Sequence, residues 1–102
     1  MMYIKSTYQC NNTLAVLAKK ELEDHIYGVV TVNLVGLSEL LPADSQFVNE
    51  NNWDGIVEQL EKEGIAKPLK DSKGEVVVGH SGFCVYTAMK FDMSKLTEVK
   101  NG

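Results

Sequence analysis

The chain has 102 residues, 44% of them hydrophobic and 24% charged, the make-up of one soluble globular domain with a modest core. No run of about 18 apolar residues occurs, which excludes a membrane-spanning helix, and Met1-Met2-Tyr3-Ile4-Lys5 lacks the basic-then-apolar plan of a signal peptide, so a cytoplasmic location is expected. All ten basic residues are lysine, and with a net charge of -4 this argues against a nucleic-acid reader, which leans on arginine forks for guanine and phosphate.

In chain order, residues 2–8 (MYIKSTY) alternate and are rich in aromatic and β-branched types, which predicts a strand. Asn11-Asn12 predicts a turn, since asparagine tolerates left-handed backbone. Residues 13–24 support two readings. Their Leu, Ala, Lys and Glu content fits a helix capped by Asn12 or Thr13; the alternation of Leu14, Val16 and Ala18 fits a strand, and a strand over 13–19 is preferred. Residues 27–35 (YGVVTVNLV) are the clearest strand, with Val30, Val32 and Leu34 facing the core and Val29, Thr31, Asn33 and Val35 on the other side.

Residues 36–44 form a connection in which Pro42 blocks regular pairing, and 45–49 are a short strand. A helix is predicted over 53–63. Asn51 or Asn52 caps it, Trp53, Ile56, Val57 and Leu60 make one apolar stripe, and Gly64 ends it with Ile65 set against Leu60. Asp71-Ser72-Lys73-Gly74 is a turn signal. Glu75 to Val78 begin a strand, Gly79 to Gly82 form a corner, and Phe83 to Phe91 make the last strand. The fold class is α+β: a single small domain over 1–102, an antiparallel sheet of four to six strands, and one amphipathic helix on one face. The ordered core is expected over 2–92, with a polar tail at 93–102 that frays.

Three constellations invite a chemical reading. Gly79-His80-Ser81-Gly82 has the start of a nucleophile elbow, but Phe83 stands where that motif needs its last glycine. A strand follows rather than a helix, and neither His25 nor His80 comes after Ser81; a hydrolase is rejected. Cys84, four residues from His80, lies inside a strand pattern and reads as a buried inert thiol. Cys10, His25, His80 and Cys84 total a zinc inventory without zinc spacing. Gly79 and Gly82 read as suppliers of unusual backbone at a corner. No catalytic residue, metal or cofactor is assigned, and the protein is expected not to be an enzyme.

Charge is distributed unevenly. Residues 39–63 hold seven acids against Lys62 alone, a net of -6, while residues 64–102 are net +2. Much of this acidic block falls on the outer face of the predicted helix. Its structural reading is a solvated surface; its functional reading is a docking face for a basic partner.

Asn11-Asn12-x-Leu14-Ala15, Thr31-Val32-Asn33-Leu34, Asn49-Glu50-Asn51-Asn52, and Ser81-Gly82-Phe83-x-x-Tyr86 with Phe91 follow in this order. The set resembles an uncharacterised family of small proteins, a domain-of-unknown-function group carried by phages, plasmids and gut-bacterial mobile elements. The resemblance spans about Tyr8 to Phe91, with Thr87 where that pattern has proline. It implies a strand at 13–19 in a hairpin with 27–35, and it brings no catalytic residues. It also implies a setting in which small acidic proteins blunt host defences, as anti-CRISPR inhibitors do.

The expected function is therefore non-enzymatic inhibition of a host defence macromolecule by occlusion. Glu50, Asp54, Glu58 and Glu61 would meet the basic surface of a host protein, such as the nucleic-acid channel of a nuclease, with Tyr3, Tyr8 or Tyr86 as exposed anchors. Direct contact with nucleic acid or membrane is not expected, and a homodimer is compatible. The alternative is a sponge or sensor that sequesters a nucleotide signal in a pocket around Gly79–Ser81, at a dimer interface.

Overall fold

A computed structural model describes residues 1–22 and 25–98. Asn12 closes the first hairpin. Among the described residues it alone, glycines aside, has positive φ (58°), and the Asn11 side chain supports the turn by accepting from the Thr13 hydroxyl at 2.8 Å. The turn joins β1 (Met2–Thr7) to β2 (Leu14–Lys19), antiparallel, with Tyr3 opposite Ala18 and Thr7 opposite Leu14. The strand reading of 13–19 holds and the helical one falls. Glu23 and Asp24, at the end of that ambiguous segment, lie outside the described residues.

The long run at 27–35 is not one strand. Gly28–Val29 (β3) pairs with β2, whereas Thr31–Val32 (β4) pairs with Ser45–Val48 (β5). Val30 between them is fully buried; its N–H donates to Val16 O and its carbonyl accepts from Asn49 N, both at 2.8 Å. One apolar run thus passes from the first sheet to the second, and the described residues form two sheets where one was expected. Val30 and Leu34 face the core as predicted, but Thr31 is also buried, because its hydroxyl accepts from Val16 N at 3.1 Å.

The first sheet runs β3-β2-β1-β9, where β9 (Thr97–Glu98) lies parallel to β1. The second runs β4-β5-β8-β6, with β6 (Ala66–Pro68) and the long β8 (Cys84–Phe91); β7 (Val78–Ser81) pairs with the first half of β8. The fold is α+β, with nine strands among the described residues rather than four to six. Four of them have only two or three residues, too few to carry a visible period. The main core lies between the sheets and the helix and includes Tyr3, Val16, Val30, Ile56, Leu60, Met89 and Phe91. A second cluster (Leu34, Phe47, Ala88) lies on the other face of the second sheet. Alternation along β8 sends Met89 and Phe91 to the first cluster and Ala88 to the second, so the strand is buried on both faces at Ala88 and Met89, while Lys90 is exposed.

The helix α1 covers Ile56–Lys62, shorter than the predicted 53–63. Gly55, left-handed at φ 76°, is its N-cap, and no side chain caps it; Asn51 and Asn52 are engaged elsewhere, with Val85 and Asn49. The C-terminal prediction is met in full. Gly64 is left-handed (φ 70°), Ile65 N donates to Leu60 O at 2.9 Å, and Gly64 N donates to Glu61 O at 3.1 Å. Leu60 and Ile65 are both buried, which completes a Schellman motif with its apolar contact.

The described part of the expected tail is structured. Asp92 accepts from Ser94 N (3.1 Å) and Oγ (2.6 Å), opening a 3-10 turn over Met93–Lys95. Leu96 is buried, and β9 follows, with Glu98 3.7 Å from Lys5 Nζ. Leu96, with Met93 packed against the same core, anchors a segment that reads as polar. Residues 99–102 lie outside the described residues.

Tyr3 ties the helix to β1. Its hydroxyl donates to the Glu63 carboxylate and accepts from Gln59 Nε2 at 3.2 Å. Burial, then the Glu63 hydrogen bond and charge, push its phenol from 10.0 up to about 12. The fold therefore holds this proton at a pH where the unfolded chain has released it. The stability it contributes is whole below pH 10 and is lost as pH rises from 10 to about 12. Tyr3→Phe is expected to cost about 1 kcal/mol at neutral pH and to flatten the alkaline loss in denaturant titrations. An alkaline profile equal to wild type would show that Tyr3 is not its source.

Candidate functional site

The hairpin holding GHSGFCVY is built by a two-residue loop, Gly82-Phe83, between Ser81 and Cys84. Gly82 at φ 60° supplies the first central position that a type II′ turn requires. Gly79, His80 and Ser81 are strand residues, not a corner. Because side chains alternate, His80 (opposite Val85) lies on the other face from Ser81 and Cys84, which are paired with each other. These three side chains do not converge. Gly79 has a packing reason: a Cβ there would stand 2.6 Å from Phe47 and 2.7 Å from Leu34. Phe83 is fully exposed at the tip, and Val78 and Val85 behind it are partly exposed.

Side chains complete strand edges where no strand continues. On β8, Thr87 N donates to the Glu50 carboxylate, and Val85 O accepts from Asn51 Nδ2 at 3.1 Å. Glu50 was expected on the acidic docking face; it is half-buried and serves this edge instead. On β2, Leu14 O accepts from Gln46 Nε2 at 2.9 Å. Gln46 is fully buried and also accepts from Ser38 Oγ at 2.7 Å. Nearby, Asn11 and Asn33 exchange amide hydrogen bonds at 2.9 and 3.2 Å, Asn33 donates to Cys10 Sγ, and Asn11 donates to Glu39. Two pieces of the ordered motif set, at 11–15 and 31–34, thus meet in one polar cluster. Sequence reasoning missed Gln46, since a lone glutamine in a four-residue strand gives no sign of which way it points.

The other three acids are exposed. Asp54 precedes α1, Glu58 is in its first turn and Glu61 in its second half. The ion pairs among the described residues are Lys5–Glu98, Lys90–Asp44 and Lys95–Asp92, and none involves Asp54, Glu58 or Glu61. Two open cavities flank them. Glu61 lines one of about 530 Å³ together with Asp44, Lys67 and Lys90, a mixed-charge wall. Asp54 lines one of about 510 Å³ with Tyr27, Val29, Asn49, Asn52 and Trp53. Neither is lined by Gly79, His80 or Ser81, where the alternative nucleotide pocket was expected.

The expected aromatic anchors are placed otherwise. Tyr3 is buried under α1; Tyr8 is half-buried, with its hydroxyl 3.0 Å from Thr31 Oγ1, and burial raises its pKa. Tyr86 is half-buried against the second core cluster. Phe83 and Tyr27 are the exposed aromatics. Tyr27 packs on Trp53 with ring centres 5.4 Å apart and planes tilted by 58°, and Lys20 Nζ sits 5.4 Å from the Tyr27 ring centre. Among the described residues no three His, Cys, Asp or Glu side chains gather as metal ligands, and no helix is long and apolar enough to cross a membrane.

The profile of a family described as Domain of unknown function (DUF4313) matches residues 3–102. The chain belongs to this family. The match takes in both sheets, the helix and every motif piece that carries the resemblance. No curated protein and no solved structure matches the chain. For this DUF4313 chain, function has to be argued from the side chains themselves.

Proposed function

We propose that this DUF4313 protein is a non-enzymatic binding protein of a phage or mobile element that inhibits a host defence nuclease by covering its basic nucleic-acid channel. The observation that carries this reading is the row Asp54, Glu58 and Glu61, exposed and without ion-pair partners among the described residues. Carboxylates on a short helix and its leading turn present acceptors to lysines and arginines. Such a face steers encounter and rejects acidic partners. Glu50 is left out of it, being committed to β8.

The test is charge reversal. A tagged chain carrying Asp54→Lys, Glu58→Lys and Glu61→Lys is compared with wild type by recovery from nuclease-treated host cells. Reversal at such exposed sites shifts stability by about 0.5 kcal/mol each, so the variant stays folded. The expected result is a basic nucleic-acid-binding protein recovered with wild type and lost with the variant. Recovery of the same proteins by both sinks the proposal.

A further inference from the structure

We infer that the cavity between β3 and the turn before α1 receives a lysine or arginine side chain of the partner, an inference that rests on the proposed binding role. Tyr27 and Trp53 form two of its walls, tilted at 58° with centres 5.4 Å apart. The indole lies close against bare backbone: a Cβ on Gly28 would stand 3.3 Å from Trp53 Cζ3. Asp54 is the one charged residue in the lining. Of the two amides there, Asn49 donates to Val29 O at 3.4 Å and accepts from Asn52 Nδ2 at 3.1 Å, which leaves the Asn52 carbonyl as an acceptor.

The site thus offers two aromatic rings, a carboxylate and an amide oxygen, a lining that favours a cationic donor. An anion would meet Asp54, and a purely apolar group would leave that carboxylate and amide without partners. The molecule itself shows what the Tyr27 ring accepts: Lys20 Nζ lies over it at 5.4 Å, outside the cavity lining. Tyr27 is about half exposed.

Trp53 is the only tryptophan in the chain, so its emission reports occupancy directly. Acetyl-Arg-Arg-Arg-amide is titrated against the whole protein, with the citrulline peptide as its neutral counterpart. A saturable change is expected with arginine and none with citrulline. Tyr27→Ala and Asp54→Asn, both exposed and checked for an unchanged melting midpoint, are expected to weaken binding about fivefold each, while Glu61→Lys leaves the Trp53 response in place. An unresponsive wild type, an equal citrulline response, or wild-type binding by Tyr27→Ala overturns the inference. Partner recovery that depends on Glu58 and Glu61 without a Trp53 response also overturns it and leaves the acidic-face reading standing. A Trp53 response without charge-dependent recovery supports the cavity and removes that reading.

Discussion

Gly79→Ala is expected to destabilise the protein by about 1–3 kcal/mol, the usual cost of an extra methyl in a packed interior. The new Cβ would stand 2.6 and 2.8 Å from Phe47 Cε1 and Cζ, and 2.7 Å from Leu34 Cδ1. Neither neighbour can yield easily, since Phe47 is 2% and Leu34 8% exposed, and both belong to the small cluster behind the second sheet. For a chain of this size each kcal/mol lowers the melting midpoint by about 4–8 °C, so thermal unfolding resolves the effect, and valine is expected to be worse than alanine. A wild-type midpoint for Gly79→Ala would mean that β7 does not lie this close to Phe47. The glycine that opens the GHSGFCVY stretch therefore belongs to packing.

Gln46→Leu should cost about 2–4 kcal/mol despite adding an apolar side chain to a buried site. Gln46 spends its whole amide: Nε2 donates to Leu14 O (2.9 Å) and Thr13 Oγ1 (3.2 Å), and Oε1 accepts from Ser38 Oγ (2.7 Å) and Phe47 N (3.0 Å). Ser38 in turn accepts from Leu34 N at 2.9 Å. The network joins β5 to β2 and to the loop before β5, so it links the two sheets. Leucine leaves the Leu14 carbonyl without its donor and the Ser38 O–H without its acceptor in a dry site, and each such group costs about 1–3 kcal/mol. The urea midpoint of Gln46→Leu reads this out. A Gln46→Leu midpoint at or above wild type would refute the network's role.

These two residues also show what the sequence could reveal. Local signals were legible: Asn12 as a left-handed turn, the strand alternation of Leu14, Val16 and Ala18, and the Gly64-Ile65 end of α1, which depends on residues within one helical turn. What depends on distant partners was not. Val30 divides an apolar run because it bonds Val16 on one side and Asn49 on the other, and nothing in its own neighbourhood announces this. Glu50 reads as one more surface acid until Thr87 N is seen to donate to it. Tyr3, in a loosely alternating strand, turns inward because Glu63 and Gln59 of the helix end meet its hydroxyl.

The candidate site follows the same division. Asp54, Glu58 and Glu61 were legible as helix-spaced acids, and all three are exposed. The Tyr27–Trp53 cavity was not, because its walls come from residues 26 positions apart whose meeting depends on β3 joining the first sheet. Trp53 read only as part of a core stripe. It is packed against the main core and also walls the cavity, which one period cannot express.

The proposed binding of a basic partner rests on the exposed acids of this protein. Its most direct test is the dissociation constant of the recovered partner for wild type and for the Asp54→Lys, Glu58→Lys, Glu61→Lys variant, at low and at physiological salt. The affinity is expected to fall as salt rises and to drop at least tenfold on reversal, beyond the effect of screening alone. Equal affinities for the two proteins, insensitive to salt, would contradict it.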